Sequence, residues 1–173
     1  MKDNCKEILP TIGQKVPPQR SVEFGEDALC KSYNASQNGF PEDIVYADTI
    51  DQIKDEIDLS AKKEYDKIQK RRRYLWVISE DKINIAYEAL PSEAERGCIC
   101  HTNVTGKKDA IIGGELWFLK ENETYTLQIN FSSGRYPIKK QVELTQKSPD
   151  EIISNVVALF KCVGYTNINL IQN

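Results

Sequence analysis

The stretch TYTLQINFS, residues 124–132, alternates without a break. Tyr125, Leu127, Ile129 and Phe131 fall on one side; Thr126, Gln128 and Asn130 fall on the other. Successive side chains of a β-strand point to opposite faces, so this pattern predicts a strand with one buried and one polar face. A strand needs partners, and the segments before it supply candidates. LWVIS (75–79) and KINIAYEAL (82–90) flank the turn signal Ser79-Glu80-Asp81-Lys82, and CICHTNV (98–104) and AIIGGELWFLK (110–120) follow. The connections TGKKD and ENE are short enough to close antiparallel hairpins. A further strand is expected around 138–144, beyond the SGRYP corner, and a last one around 167–171.

Two helices are predicted beside this sheet. Tyr46, Ile50, Ile53, Ile57, Ala61, Tyr65 and Ile68 recur at steps of three and four, which makes one apolar stripe on a long helix. Its first half is acidic and its second half, ending KIQKRRR, is basic, an order that complements the helix dipole. The second helix has Ser148 as N-cap, Pro149 at its first position and Glu151 to complete a capping box. Ile152, Ile153, Val156, Val157, Phe160 and Val163 form its apolar face, and Gly164 supplies the stop. A shorter helix is expected over 25–37. The expected fold class is therefore α+β: an antiparallel meander with a long helix in the N-terminal half and a C-terminal helix packed on the sheet. Residues 1–24, with Pro10, Pro17 and Pro18, read as an irregular arm draped on the domain or partly disordered. Residues 25–173 read as one domain, helical over 25–73, with the sheet and C-terminal helix over 74–173.

Charge and cysteine content narrow the function classes. With 23 basic and 26 acidic residues in 173, the net charge of −3 argues against general nucleic-acid binding. The run Lys62–Arg73 is read as a solvated, dipole-matched face rather than a phosphate patch. No apolar run approaches the roughly 18 residues of a membrane span, and the N-terminus lacks a secretory apolar core. A cytoplasmic location is expected, and five irregularly spaced cysteines are expected to be reduced thiols.

The remaining polar residues gather in three short stretches: HTN, GGE and SSGR. Symmetric closure of the first hairpin sets His101 opposite Gly113. Closure of the second, with Lys120 opposite Thr124, sets Gly113 opposite Phe131 and Ile111 opposite Ser133. The three stretches then converge at one end of the sheet. Diagonal neighbours of this kind lie about 7–8 Å apart, which would bring His101 near Glu115. A carboxylate can orient an imidazole and raise its basicity, so His101, Glu115 and Ser133 form the alternative catalytic set. As a ligand site the cluster comprises His101, Asn103, Glu115, Ser133, Arg135 and Tyr136, with Arg135 suited to clamp an anion. The plainer reading of each is structural: a half-buried hydrogen bond for His101 and a tight corner for Arg135. In a regular strand Cys98 and Cys100 point away from His101, so no metal site is assigned from them and Cys162. No cofactor motif is present.

The segments LPSEAERGCICHTNVTGKKDAIIGGELWF, INFSSGRYP and VVALFKCVGY resemble small bacterial proteins of polymorphic toxin and contact-dependent inhibition systems, where immunity proteins are common. The likeness covers residues 74–170. A looser likeness, in the order histidine, glycine–glutamate, then Ser-Gly-basic-Tyr, is to modules of bacterial effectors and plant calmodulin-binding proteins. The first resemblance implies a binding protein that neutralises a toxin domain. The acidic Asp48, Asp51, Asp55 and Asp58 are then the expected partner-binding residues.

Overall fold

The computed structural model describes residues 3–19, 44–46, 74–79, 83–87, 101–105, 108–121 and 124–171. Its centre is β2 (Tyr74–Ile78), the sequence YLWVI, in which every side chain is buried. A strand apolar on both alternations must be covered on both faces. On one side β2 pairs with β3 (Ile83–Tyr87), which in turn pairs with β1 (Ile44–Tyr46). On the other side it pairs with β4 (Ile112–Glu121), setting Trp76 opposite Gly114 and Val77 opposite Gly113. Next come β5 (Thr124–Ile129) and the edge strand β6 (Ile168–Leu170). The order is β1-β3-β2-β4-β5-β6, antiparallel except for the β5–β6 pair.

The fold is α+β, and four features depart from the expected meander. Strand β4 lies between β2 and β5, where a strand carrying His101 was expected beside it. With that slot occupied, His101–Val104 forms instead a single helical turn, α3, whose Val104 packs with Leu75 and Val77. Residues 138–145 are a helix, α4, not a strand. Ile138, Val142 and Thr145 keep a helical spacing that places Gln141 inward, fully buried. The β4–β5 pairing sets Glu121 opposite Thr124, one step from the expected register. Finally, β6 runs parallel to β5, as strands joined through helices do.

The C-terminal helix, α5 (Pro149–Cys162), forms as its sequence dictates. Ser148 Oγ accepts from Glu151 N–H at 3.1 Å, satisfying one of the orphan donors of the first turn. At the other end Gly164 adopts φ 121°, while Tyr165 N–H donates to Phe160 O and Gly164 N–H to Lys161 O. That is the Schellman arrangement, and it needs a residue without a Cβ at the left-handed position. Ile152, Val156, Leu159 and Phe160 are buried against the sheet.

Of the long predicted helix, Tyr46 lies in β1. The stripe from Ile50 to Ile68, its acidic residues Asp48, Asp51, Asp55 and Asp58, its basic run and the helix expected over 25–37 lie outside the described residues. The described part of the arm, residues 3–19, is draped on the domain. It holds two one-turn helices, α1 (Asp3–Lys6) and α2 (Leu9–Ile12), and buries Cys5, Leu9, Ile12 and Val16.

Two cores result. The larger joins Cys5, Leu9 and Ile12 of the arm, Trp76 and its neighbours on the sheet, and the inner face of α5. Trp76 sits edge-on to Phe131 at 5.5 Å and to Phe160 at 5.4 Å between ring centroids, a favoured aromatic geometry. The smaller, on the opposite face, holds Val16, Leu75, Val77, Val104, Ala110 and Tyr136. Gln128 and Asn130, expected to face solvent, are therefore buried. Among the described residues no helix is long and apolar enough to cross a membrane.

Candidate functional site

The three polar stretches do converge, though by a route the hairpin reading did not anticipate. Helix α3 lies over the second face and lowers His101 onto the paired glycines of β4. Its Nε2–H donates to Gly114 O at 2.9 Å. The acceptor is a carbonyl, so that bond fixes the proton on Nε2. His101 is 8% exposed. Burial holds its pKa below the ordinary histidine value, outweighing the Gly114 bond and the Glu115 carboxylate, which favour the cation; Arg135 adds to the depression. The ring is thus a neutral donor near pH 7.

The glycines explain why this contact is possible. A Cβ at Gly113 would stand 3.1 Å from the His101 ring and 3.3 Å from Ser133 Oγ. At Gly114 it would fall 2.1 Å from the Asn130 carbonyl and 2.7 Å from the Trp76 ring. No side chain fits there without moving backbone. The pair therefore marks close approach from both faces of the sheet, which answers why a strand interior should carry Gly-Gly.

Glu115, Ser133 and Tyr136 are each engaged by their surroundings. Glu115 Oε2 accepts from Asn130 Nδ2 at 3.0 Å, and Glu115 N–H donates to Asn130 Oδ1 at 3.0 Å. The same Asn130 oxygen accepts from Ser132 N–H, so one amide closes the end of the β4–β5 ladder. Ser133 Oγ accepts from Tyr136 N–H at 3.0 Å, forming the inside of the SSGRYP corner. Tyr136 is fully buried; its hydroxyl donates to Lys108 O and meets Thr105 Oγ1, both at 2.8 Å. Arg135 is half-buried at the corner, where its carbonyl accepts from Gln19 N–H at 2.7 Å. Asn103 lies in α3, with its side chain outside the described residues.

The expected diagonal pair, with Glu115 orienting His101, is not the arrangement found: the imidazole proton goes to a backbone carbonyl and the carboxylate is held by an amide. The cluster instead ties α3, β4 and the corner after β5 together. A metal set including Cys162 is also excluded, because Cys162 is bonded to Cys5. Sequence reasoning missed that pairing, the Asn130 clamp, and Gln141. The Gln141 amide accepts from Gln14 N–H at 2.9 Å and donates to Gln14 O at 2.8 Å and to Ile111 O. A Cβ at Gly13 would collide with that amide, so Gly13 was the one local signal of close packing there.

Fold and site together define a small α+β domain with a mixed sheet, an apolar core on one face and a hydrogen-bonded polar cluster on the other. Comparison with known proteins finds no matching family model, curated protein or solved structure.

Proposed function

We propose that this chain is a binding protein of the immunity type, which seats a bacterial toxin domain and blocks it. The observation that favours binding over turnover is the state of His101, Glu115 and Ser133. A general base needs a free lone pair facing a substrate, and a nucleophilic hydroxyl needs that base as its partner. Here Nε2–H is spent on Gly114 O, and the lone pair left on Nδ1 belongs to a ring that is nearly sealed from solvent. The serine oxygen serves Tyr136 N–H, and the carboxylate serves Asn130. These groups stabilise a surface rather than open a reaction site. The partner class rests on the resemblance of residues 74–170 to proteins of toxin systems and on the mildly acidic charge, which complements a basic partner.

Co-expression with the toxin encoded beside it tests the reading, in hosts that place both proteins in one compartment. Growth protection together with a stable complex on size-exclusion chromatography is the expected result. Full toxicity with no complex overturns it. As an independent arm, the H101Q variant keeps a donor in place and is expected to protect as well as the parent, because the residue supports the scaffold without reacting.

A further inference from the structure

The two ends of the described chain are joined where reduced thiols were expected. Cys5 in α1 and Cys162 at the end of α5 form a disulfide across a sequence separation of 157 residues. Their placement does not rest on the sulfur bond alone. Leu9 and Ile12 of the arm pack into the larger core. Thr11 O accepts from Asn155 Nδ2 at 2.9 Å and from Lys147 Nζ. The buried Gln141 amide brackets Gln14 on both its N–H and its carbonyl. Val16 exchanges two backbone hydrogen bonds with Ala110, and Gln19 N–H reaches Arg135 O. These contacts lay the arm along α5 and around to the second face. They bring Cys5 and Cys162 to a Cα–Cα distance of 5.6 Å, in the middle of the range a disulfide requires. Cys5 is fully buried there.

Such a bond persists where the surroundings oxidise thiols, in secreted, periplasmic or lumenal proteins, and is rare in a reducing cytosol. We infer that this protein folds and works in an oxidising compartment, with the Cys5–Cys162 bond clamping its N-terminal arm to its last helix. The bond forms by thiol–disulfide exchange. One cysteine thiolate attacks the disulfide of an exchange catalyst or of oxidised glutathione, and the second displaces the donor sulfur from the mixed disulfide. The two cysteines lose two protons and two electrons, and the donor leaves as two thiols. This assignment goes beyond the binding role and does not depend on it: a partner, if there is one, is met in that compartment.

The test begins in cells that make the protein naturally. Acid quenching, alkylation of free thiols and peptide mass spectrometry should recover the Cys5–Cys162 linked peptide from most molecules. Both thiols alkylated in nearly all molecules would overturn the inference. A second measurement uses the purified chain. Reduction is expected to lower Tm by roughly 5–15 °C. The C5S/C162S double variant should melt with the reduced form and ignore reductant. Equal Tm with and without reductant, in a sample shown to carry the bond, would remove the clamp. Neither result bears on toxin protection, so failure here and failure of the binding role are told apart.

Discussion

The two faces of the sheet are held by different forces. On the face covered by α5 and the arm, Trp76, Phe160, Tyr165 and a set of aliphatic side chains are buried together, and the stabilisation is that of packed apolar area. On the opposite face the apolar cluster holds six of the described residues, and hydrogen bonds supply much of the rest. His101 bonds Gly114 O, Tyr136 bonds Lys108 O and Thr105, and Ser133 bonds Tyr136 N–H. The contrast has a physical cause. A helix of fourteen residues brings four buried side chains to the first face. Among the described residues the helical cover of the second face is a single turn, which buries His101 and Val104, and the backbone groups beneath it meet polar partners.

Truncation should separate the faces by size of effect. Trp76→Ala removes the ring that Phe131 and Phe160 meet edge-on, and a loss of about 3–5 kcal/mol is expected from the transfer and cavity terms together. Urea unfolding followed by circular dichroism measures it. A loss below about 1 kcal/mol would show that the first face is not packed as described. On the second face the informative change removes no volume. Tyr136→Phe deletes only the hydroxyl, leaving Lys108 O and Thr105 Oγ1 without that partner, and is expected to cost about 1–2 kcal/mol. If Tyr136→Phe proves neutral, the second face is apolar in the same sense as the first and the contrast fails.

The same difference governs what could be read from the sequence. Periodicity reports apolar burial, so the elements of the packed face were legible: the inward Leu127 and Ile129 of β5, the Ser148 N-cap and the Gly164 stop all appear in the structure. The polar face was legible only as a convergence. His101, Gly113, Gly114 and Ser133 do meet, but the segment carrying His101 is a helical turn, because β2 holds the strand position beside β4. Local sequence does not record which strand wins a neighbour. For the same reason the place of β6 at the edge, parallel to β5, followed from topology rather than from NINLI itself. Residues 138–145 show the limit from the other side. Gln141 and Thr145 are polar, so their helical spacing with Ile138 and Val142 was masked, although Gln141 is fully buried. A buried amide with three partners looks in sequence like any surface glutamine. The disulfide was hidden likewise, since five cysteines admit many pairings and only the path of the arm selects one.

The smallest expected effect is the one that only the polar face can produce. The folded state holds His101 with a pKa below the 6.5 of an unperturbed histidine, chiefly through burial. The unfolded chain therefore binds the proton more readily than the folded chain. Stability rises with pH across the window between the two values; it is fully present above the unfolded value and is lost as pH falls below it. One group sets a slope of at most about 1.4 kcal/mol per pH unit inside that window. His101→Gln supplies an amide donor for Gly114 O without a titrating ring. Comparing parent and variant by urea unfolding between about pH 7.5 and 5 isolates the histidine, because the carboxylates common to both cancel. The difference in stability between them should be flat above the unfolded pKa and should move in favour of the variant as pH drops. A parallel pair of curves down to pH 5 would mean that the imidazole takes up its proton without leaving Gly114. The second face would then be open to water, and the division between an apolar and a hydrogen-bonded side of the sheet would not hold.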